Sequence, residues 1–147
     1  MNVYFIRHKL GGGPAAIEQL KKNQFIAYHF LDEFHERLED YSKQSRGLTQ
    51  AYNAFSEIYK TGCLIVAEYI DSFSFIVGKI DKGTPTTPFK FSSSHGSVTY
   101  KAIRYEKPKQ FFYSDYPILA AIRPPFSTVC STGKTFSRII RHIYLRE

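Results

Sequence analysis

Two apolar runs separated by three residues constrain the fold of this chain more than any other feature of its sequence. The first run, CLIVAEYI, covers residues 63–70, and the second run, SFIVGKI, covers residues 74–80. Both runs are short and rich in β-branched side chains, which is typical of buried strands. The three intervening residues, DSF, are few enough for a hairpin connection. The sequence therefore predicts an antiparallel strand pair near the middle of the chain.

Helical spacing of apolar residues occurs on both sides of this hairpin. The helix predicted over 45–62 is the clearest, since Gly62 ends it and its stripe consists of Leu48, Ala51, Tyr52, Phe55, Ile58 and Tyr59. Weaker spacing predicts helices over 14–22 and about 32–43. A last helix follows residue 132, with an apolar stripe made of Phe136, Ile139, Ile140, Ile143 and Tyr144.

Shorter segments predict the remaining strands. Residues 2–6 and 24–30 are apolar and bounded by turn residues, and SVTYKAIRYE, from residue 97, alternates over two faces. The polar stretch 81–96 is predicted to be a loop, and the aromatic stretch 107–130 an irregular segment with a helical turn and a final short strand. About five or six strands and four helices in this order favour a single α+β domain over 1–147, built on a sheet or barrel rather than a doubly wound parallel sheet.

Charge and aromatic content indicate the kind of partner. The net charge is +7, and the chain contains 11 Tyr and 13 Phe residues. A basic protein favours polyanionic partners, of which nucleic acid is the commonest, and aromatic rings beside cations suit base stacking. The alternative is an ordinary basic protein whose charge has no such partner. No apolar run approaches a membrane span and no signal peptide is evident, while two cysteines, Cys63 and Cys130, suggest the reducing cytoplasm.

Catalytic and metal-binding motifs are incomplete. Arg7-His8 and the later SSSHG at 92–96 resemble the two histidine motifs of histidine phosphatases, but Lys9 replaces the usual glycine. STGKT at 131–135 lacks the earlier glycine of a phosphate-binding loop, because Thr128 occupies that position. The histidines and cysteines show no metal-ligand spacing. A phosphoryl-transfer enzyme using His8 remains an alternative, and no metal or cofactor is predicted.

The order of the segments resembles a known family more closely than any single motif does. VYFIR, a glycine turn, a short helix and FIAYHF are followed by QAYNAFSEIYKTGCLIVAEYIDSFSFIVGKI, YKAIRY and RPPFSTVC. This arrangement, over about residues 2–130, resembles the EVE-type domains of the PUA-like superfamily, which precede nuclease modules in modification-dependent restriction enzymes. Many relatives have Trp at the position of Phe30, and no nuclease motif follows residue 130.

The resemblance implies a curved β-barrel flanked by helices that flips a modified, for example methylated, base into an aromatic pocket. DNA is then a better candidate than RNA, and any nuclease would be a separate partner. The candidate pocket residues at strand ends are Tyr28, His29, Phe30, Tyr69, Asp71, Phe73, Ser127 and Thr128. The candidate phosphate-binding residues are Arg7, His8, Lys9, Lys101, Arg104, Lys107, Lys109 and Arg123. A binder of small molecules or nucleotides in the same barrel is a further alternative.

Overall fold

The computed structural model describes residues 1–8, 13–28, 46–69, 71–93, 96–125 and 129–146. These residues form eight strands and four α-helices: β1 (Val3–Arg7), α1 (Gly13–Lys22), β2 (Phe25–Tyr28), α2 (Arg46–Thr61), β3 (Cys63–Glu68), β4 (Ser74–Ile80), β5 (Thr87–Ser93), β6 (Gly96–Arg104), β7 (Glu106–Phe112), α3 (Pro117–Ile122), β8 (Cys130–Ser131) and α4 (Lys134–Leu145). A 3-10 turn, Tyr113–Asp115, precedes α3. The predicted α+β class is confirmed, whereas the helix predicted over about 32–43 lies outside the described residues.

The strands form two sheets. Sheet A has the order β7-β4-β3-β1-β8, and sheet B has the order β2-β6-β5. In sheet A, β1 and β3 run parallel while the other neighbouring strands run antiparallel. The predicted hairpin is confirmed as the antiparallel pair β3 and β4. The strand number exceeds the predicted five or six, and the pairings of the described strands do not close a barrel.

Sheet A is covered on both faces, which explains its apolar central strands. One face, with Val3, Phe5, Leu64 and Val66, packs against the apolar stripe of α4 and against Leu119 of α3. The alternate residues of β1 and β3 face the larger core cluster, to which α1, α2 and sheet B contribute. A strand that is buried on both faces gains from apolar side chains at every position, so continuous runs replace alternation.

Helix α2 ends at Thr61, and Gly62 follows it as the terminating residue that the sequence predicts. Gly62 has a φ of +70°, and its N–H donates to the Ile58 carbonyl at 2.7 Å. A Cβ atom here would lie 2.8 Å from the Ile80 carbonyl oxygen, so glycine is required for space as well as for conformation. Phe55 is buried in the predicted stripe, but the prediction is wrong for Tyr59, which is 53% exposed at the stripe's margin.

Two strands occur where loops or irregular structure were predicted. β5 contains Pro88 and β7 contains Pro108, and both strands are edge strands. Proline and lysine at sheet edges reduce unwanted pairing with other chains, and they also remove the apolar alternation that identifies a strand. The expectation of a loop over 81–96 is therefore wrong for β5, and that of an irregular segment over 107–130 is wrong for β7.

The chain passes from sheet B to sheet A at Tyr105, between β6 and β7. The Tyr105 N–H donates to the Gln24 carbonyl at 3.0 Å, and its ring lies directly over Gly78 of β4. A Cβ atom on Gly78 would come within 2.4 Å of that ring. The glycine in the predicted VGKI strand thus makes room for the aromatic side chain that joins the two sheets.

Candidate functional site

Strand direction brings separate parts of the sequence to one edge of sheet A. β1 and β3 are parallel, and their register pairs Arg7 with Glu68 at the last position of each strand. β8 runs antiparallel to β1 and pairs Cys130 with Phe5, so the chain preceding Cys130 arrives at the same edge. The sequence predicts Arg7 at the end of a strand and Arg123 in a late loop, and the structure brings both side chains to Glu68 at this edge.

Glu68 is the centre of this edge, and it is 1% exposed. Its Oε1 accepts from Arg7 Nε at 2.9 Å, and its Oε2 accepts from Arg123 Nη1 at 3.1 Å and from the Tyr113 hydroxyl at 2.5 Å. An isolated buried carboxylate is strongly unfavourable, whereas two guanidinium groups and a hydroxyl offset its desolvation. Burial, together with the hydrogen bond to Glu68, raises the pKa of Tyr113. We call Glu68, Arg7, Arg123 and Tyr113 the Glu68 cluster.

The two arginines of the Glu68 cluster also connect the neighbouring loops. Arg7 Nη1 and Nη2 donate to the carbonyls of Pro125 and Pro124, each at 3.2 Å. Arg123 Nη1 also donates to the Ser72 carbonyl at 3.0 Å, and its guanidinium lies 4.7 Å from the Tyr113 ring centroid. The guanidinium groups are thus held in fixed positions by acceptors from three segments of the chain.

An open cleft lies beside the Glu68 cluster. Its volume is about 490 Å³, and it is lined by Arg7, Ser72, Ala120, Arg123, Pro124 and Pro125. We call it the strand-end cleft. The side chains of Arg7 and Arg123 are 15% and 26% exposed, so each presents part of its guanidinium to solvent. Since Glu68 balances only one of the two charges, the cleft is cationic and suits an anion or hydrogen-bond acceptors.

His8 is buried and serves as a connection between the sheets. Its Nδ1 donates to the Glu68 carbonyl at 2.8 Å, and its Nε2 accepts from the Ala27 N–H of β2 at 3.2 Å. Desolvation lowers the pKa of His8 to about 4, so the ring is neutral at pH 7. Both nitrogens are therefore engaged, and His8 offers neither a cation to a phosphate nor a nucleophilic nitrogen.

Tyr69 is buried and is not among the residues that line the strand-end cleft. Its ring stacks on His8 with centroids 4.5 Å apart. The hydroxyl lies 2.7 Å from the Phe25 carbonyl and 2.9 Å from the Tyr105 hydroxyl. Since a carbonyl only accepts, Tyr69 donates to Phe25 and accepts from Tyr105. Tyr69 is 6% exposed, so a base has no open ring face to stack on, in contrast to the sequence prediction.

The β3–β4 turn contributes one exposed aromatic side chain. Asp71 Oδ1 accepts from the N–H groups of Phe73 and Ser74 at 2.9 and 3.0 Å, which fixes the turn. Desolvation alone would raise the pKa of Asp71, but these hydrogen bonds lower it. Phe73, next to Ser72 of the cleft, is 77% exposed. Tyr28 is half-buried at the end of β2, and burial raises its pKa.

The predicted strip of phosphate-binding cations is not continuous. Lys101 is only 5% exposed, and its Nζ lies 5.1 Å from the Tyr52 ring centroid. Arg104 is exposed, with its guanidinium 4.9 Å from the Phe25 ring centroid. Lys101 lines a pocket beside α2 with Tyr52 and Lys60 and is nearly buried there, so it does not form an exposed strip with Arg104.

The other two cations of that strip lie against the last helix. Lys109 Nζ donates to the Tyr144 carbonyl at 2.5 Å and lies 3.5 Å from the Arg146 carbonyl. A cation at this position neutralises the carbonyl end of α4. Lys107 is exposed, and its carbonyl accepts from the Tyr144 hydroxyl at 2.7 Å. The remaining candidates, which are Lys9, His29, Phe30, Ser127 and Thr128, lie outside the described residues.

Sequence reasoning missed Glu68 and Tyr113, although the sequence contains a signal for Glu68. A single carboxylate at the end of the otherwise apolar CLIVAEYI must be buried with its strand, and a buried carboxylate requires cationic partners. Nothing comparable marks Tyr113, which lies in a segment with many aromatic residues. Among the described residues, no group of three or more His, Cys, Asp or Glu side chains could hold a metal ion.

Comparison of the chain with models of known protein families, with curated proteins and with solved structures finds no match. No helix within the described residues is long and apolar enough to cross a membrane.

Proposed function

We propose that this protein is a PUA-like, EVE-type nucleic-acid-binding module that flips a modified base of DNA into the strand-end cleft. The observation that carries the proposal is the pair of guanidinium groups, Arg7 and Arg123, fixed by the buried Glu68 at the wall of an open cleft. In this proposal the module has no catalytic activity of its own, and a separate nuclease partner would act on the bound DNA.

A reader of a flipped base needs cations, a stacking surface and a shaped pocket. Arg7 and Arg123 supply planar donors that can face a phosphate or the acceptor atoms of a base. Both are pre-organised, because Glu68 and the backbone carbonyls of the cleft already hold them. Fixed donors lose little conformational entropy when a ligand binds, which favours affinity.

Phe73 is the stacking candidate, because it is the exposed aromatic residue that directly follows Ser72 of the cleft lining. It belongs to a turn that Asp71 fixes, and it adjoins Ser72 in the lining. Exposure of 77% of an aromatic ring to water is unfavourable, so a partner that covers the Phe73 ring stabilises the complex. Stacking a base on such a ring contributes on the order of 1–3 kcal/mol.

The volume of the cleft is suitable for a small ligand. About 490 Å³ falls within the range of ~300–1,000 Å³ that ligand pockets generally occupy. A methyl group contributes only about 1 kcal/mol through burial, so discrimination would depend on the shape of the cleft around the modified position. The same volume also suits a free nucleotide, which is the second candidate.

The proposal is tested by a binding screen with duplexes that contain methylcytosine, hydroxymethylcytosine, methyladenine or only unmodified bases. We expect one modified duplex to bind about tenfold more tightly than the plain duplex. In the Phe73→Ala variant this preference should fall by about tenfold, because the base loses its stacking surface. The matched control is Tyr59→Ala, which removes a different exposed ring, on α2.

Equal affinity for all four duplexes would overturn base recognition. A second outcome would favour the nucleotide binder over the nucleic-acid proposal. In that outcome the protein binds no duplex at low salt but binds a free nucleotide, and Arg123→Ala abolishes the nucleotide binding. A preference that Phe73→Ala and Tyr59→Ala reduce equally would overturn the assignment of Phe73.

A further inference from the structure

The solvent side of α4 is basic along its whole length. Four of its exposed or half-buried residues, together with the residue after the helix, form the α4 basic face: Lys134, Arg138, Arg141, His142 and Arg146. The helix sequence KTFSRIIRHIYL contains no acidic residue. Its opposite side is the apolar stripe buried against sheet A. None of these positions was among the phosphate-binding residues predicted from the sequence.

This arrangement of charges is unfavourable for the isolated helix. Lys134 and Arg138 are four residues apart, Arg138 and Arg141 are three apart, and such like-charged pairs destabilise a helix. Lys134 is also the first residue of the helix, where the helix dipole disfavours a cation. The N-cap residue is Gly133, so no N-cap side chain accepts a hydrogen bond from the first turn. Within the described residues, no carboxylate forms an ion pair with these side chains. Stability of the fold therefore does not explain the α4 basic face.

A polyanion offsets this cost, and the dimensions of the helix fit the phosphates of a duplex. Residues 134–146 of a helix extend about 18 Å, which corresponds to roughly five base pairs along the axis of DNA. The exposed side of α4 has one large apolar side chain, Leu145, which is 73% exposed. An interfacial membrane helix needs a broad apolar face in contact with lipid, whereas the apolar face of α4 is buried in the protein. Charge and shape thus favour nucleic acid over a lipid surface.

We propose that the α4 basic face binds the phosphate backbone of duplex DNA and supplies most of the affinity that does not depend on sequence. The proposal rests on the proposed nucleic-acid binding but not on base recognition in the strand-end cleft. Arg7 and Arg123 already donate part of their N–H groups to Glu68 and to backbone carbonyls, whereas the side chains of Lys134, Arg138 and Arg146 have no partner among the described residues. Phosphate contacts position the duplex, and the cleft reads the base.

The test compares two triple variants that lose the same charge. One is Lys134→Gln/Arg138→Gln/Arg146→Gln, and the control is Lys60→Gln/Lys82→Gln/Lys90→Gln, which changes exposed lysines of α2, the β4–β5 turn and β5. Affinity for a plain duplex is measured over a series of salt concentrations. The slope of log K against log salt should be less steep by about 2–3 in the α4 variant, because each phosphate contact contributes about 0.9. It should change by less than about 1 in the control.

The preference for a modified duplex should stay the same in both variants. Equal changes of slope in the two variants would overturn the α4 assignment, even when the preference for a modified base is intact. Absence of duplex binding by the parent protein would instead overturn the proposed function. Vesicles containing phosphatidylserine serve as a third probe. The choice of nucleic acid would be overturned if the parent protein binds these vesicles, the α4 variant does not, and the two have the same affinity for the duplex. If the triple variant unfolds, the single variant Arg138→Gln, expected to reduce the slope by about 0.9, is compared with the single control Lys90→Gln, expected to leave the slope unchanged, and equal slopes for the two would overturn the α4 assignment.

Discussion

At the scale of single residues, Glu68 determines how the edge of sheet A is organised. One carboxylate accepts hydrogen bonds from Arg7, Arg123 and Tyr113, which belong to three different segments of the chain. The same residue's carbonyl accepts from the ring and the backbone N–H of His8. Arg7 could be predicted as a site residue because a cation at the end of an apolar strand is visible in the sequence, whereas Arg123 was a candidate as the first residue of the late segment RPPFSTVC. Glu68, which binds both arginines, could be inferred only from the free-energy cost of burying a carboxylate without cationic partners.

Replacing Glu68 with Gln should destabilise the fold. The amide keeps the shape of the side chain but leaves the partly buried guanidinium groups of Arg7 and Arg123 without a counterion. We expect the free energy of unfolding, measured by urea denaturation, to fall by about 3 kcal/mol. The control Glu106→Gln changes an exposed residue and should shift it by less than about 0.5 kcal/mol. Equal effects of the two substitutions would contradict the role assigned to Glu68.

His8 should make the stability of the protein sensitive to mild acid. Its pKa is about 4 in the folded protein and 6.5 for an unperturbed histidine, so the unfolded chain binds the proton more tightly. The stabilisation from a neutral His8 is therefore present above pH 6.5 and decreases as the pH falls toward 4. Between pH 7 and pH 5 the loss should be about 2 kcal/mol.

The His8→Asn variant provides the comparison, since asparagine retains a donor but does not titrate. Urea denaturation of parent and variant at pH 7, 6 and 5 measures the difference in their pH dependence. The curve of the variant should be flatter by about 2 kcal/mol over this interval. Parallel curves would show that His8 is not a buried neutral histidine.

At the scale of secondary-structure elements, the buried strands and the long helices were predictable, whereas the edge strands were not. β1, β3 and β4 are continuous apolar runs, and α2 and α4 have apolar stripes, because burial selects their side chains directly. β5 and β7 are paired on one side only, and their proline and lysine residues serve to keep other chains away. Their composition is therefore that of a loop. Their pairing becomes visible only once β4 and β6 are in place.

The transition between the two sheets depends on Gly78. Because the Tyr105 ring occupies the space above it, Gly78→Ala forces the ring or the strand to move. We expect this substitution to lower the free energy of unfolding by about 1–3 kcal/mol. Gly133→Ala is the matched control, because no atom lies within 4 Å of a Cβ at that position. Both variants are compared by urea denaturation, and the same stability for both would contradict close packing at Gly78.

At the scale of the whole molecule, two basic surfaces have different tasks in our proposal. The strand-end cleft holds two fixed arginines and follows directly on the turn that exposes Phe73. The α4 basic face contains three cationic side chains, Lys134, Arg138 and Arg146, that have no partner among the described residues. The sequence indicated a basic protein that binds a polyanionic partner. It did not show which cations lie on each of these two surfaces. That distribution follows from tertiary contacts, which bury Lys101 and His8, anchor Lys109 to α4 and leave Arg138 exposed.

Fluorescence of a duplex with 2-aminopurine next to the modified base tests most directly whether a base enters the strand-end cleft. Stacking quenches this analogue, so its emission rises when the neighbouring base leaves the helix. With saturating protein, we expect a clear rise for the preferred modified duplex and little change for the plain duplex, because flipping requires a base that the cleft accepts. Unchanged emission from the modified duplex at saturation would show that the protein binds DNA without flipping a base.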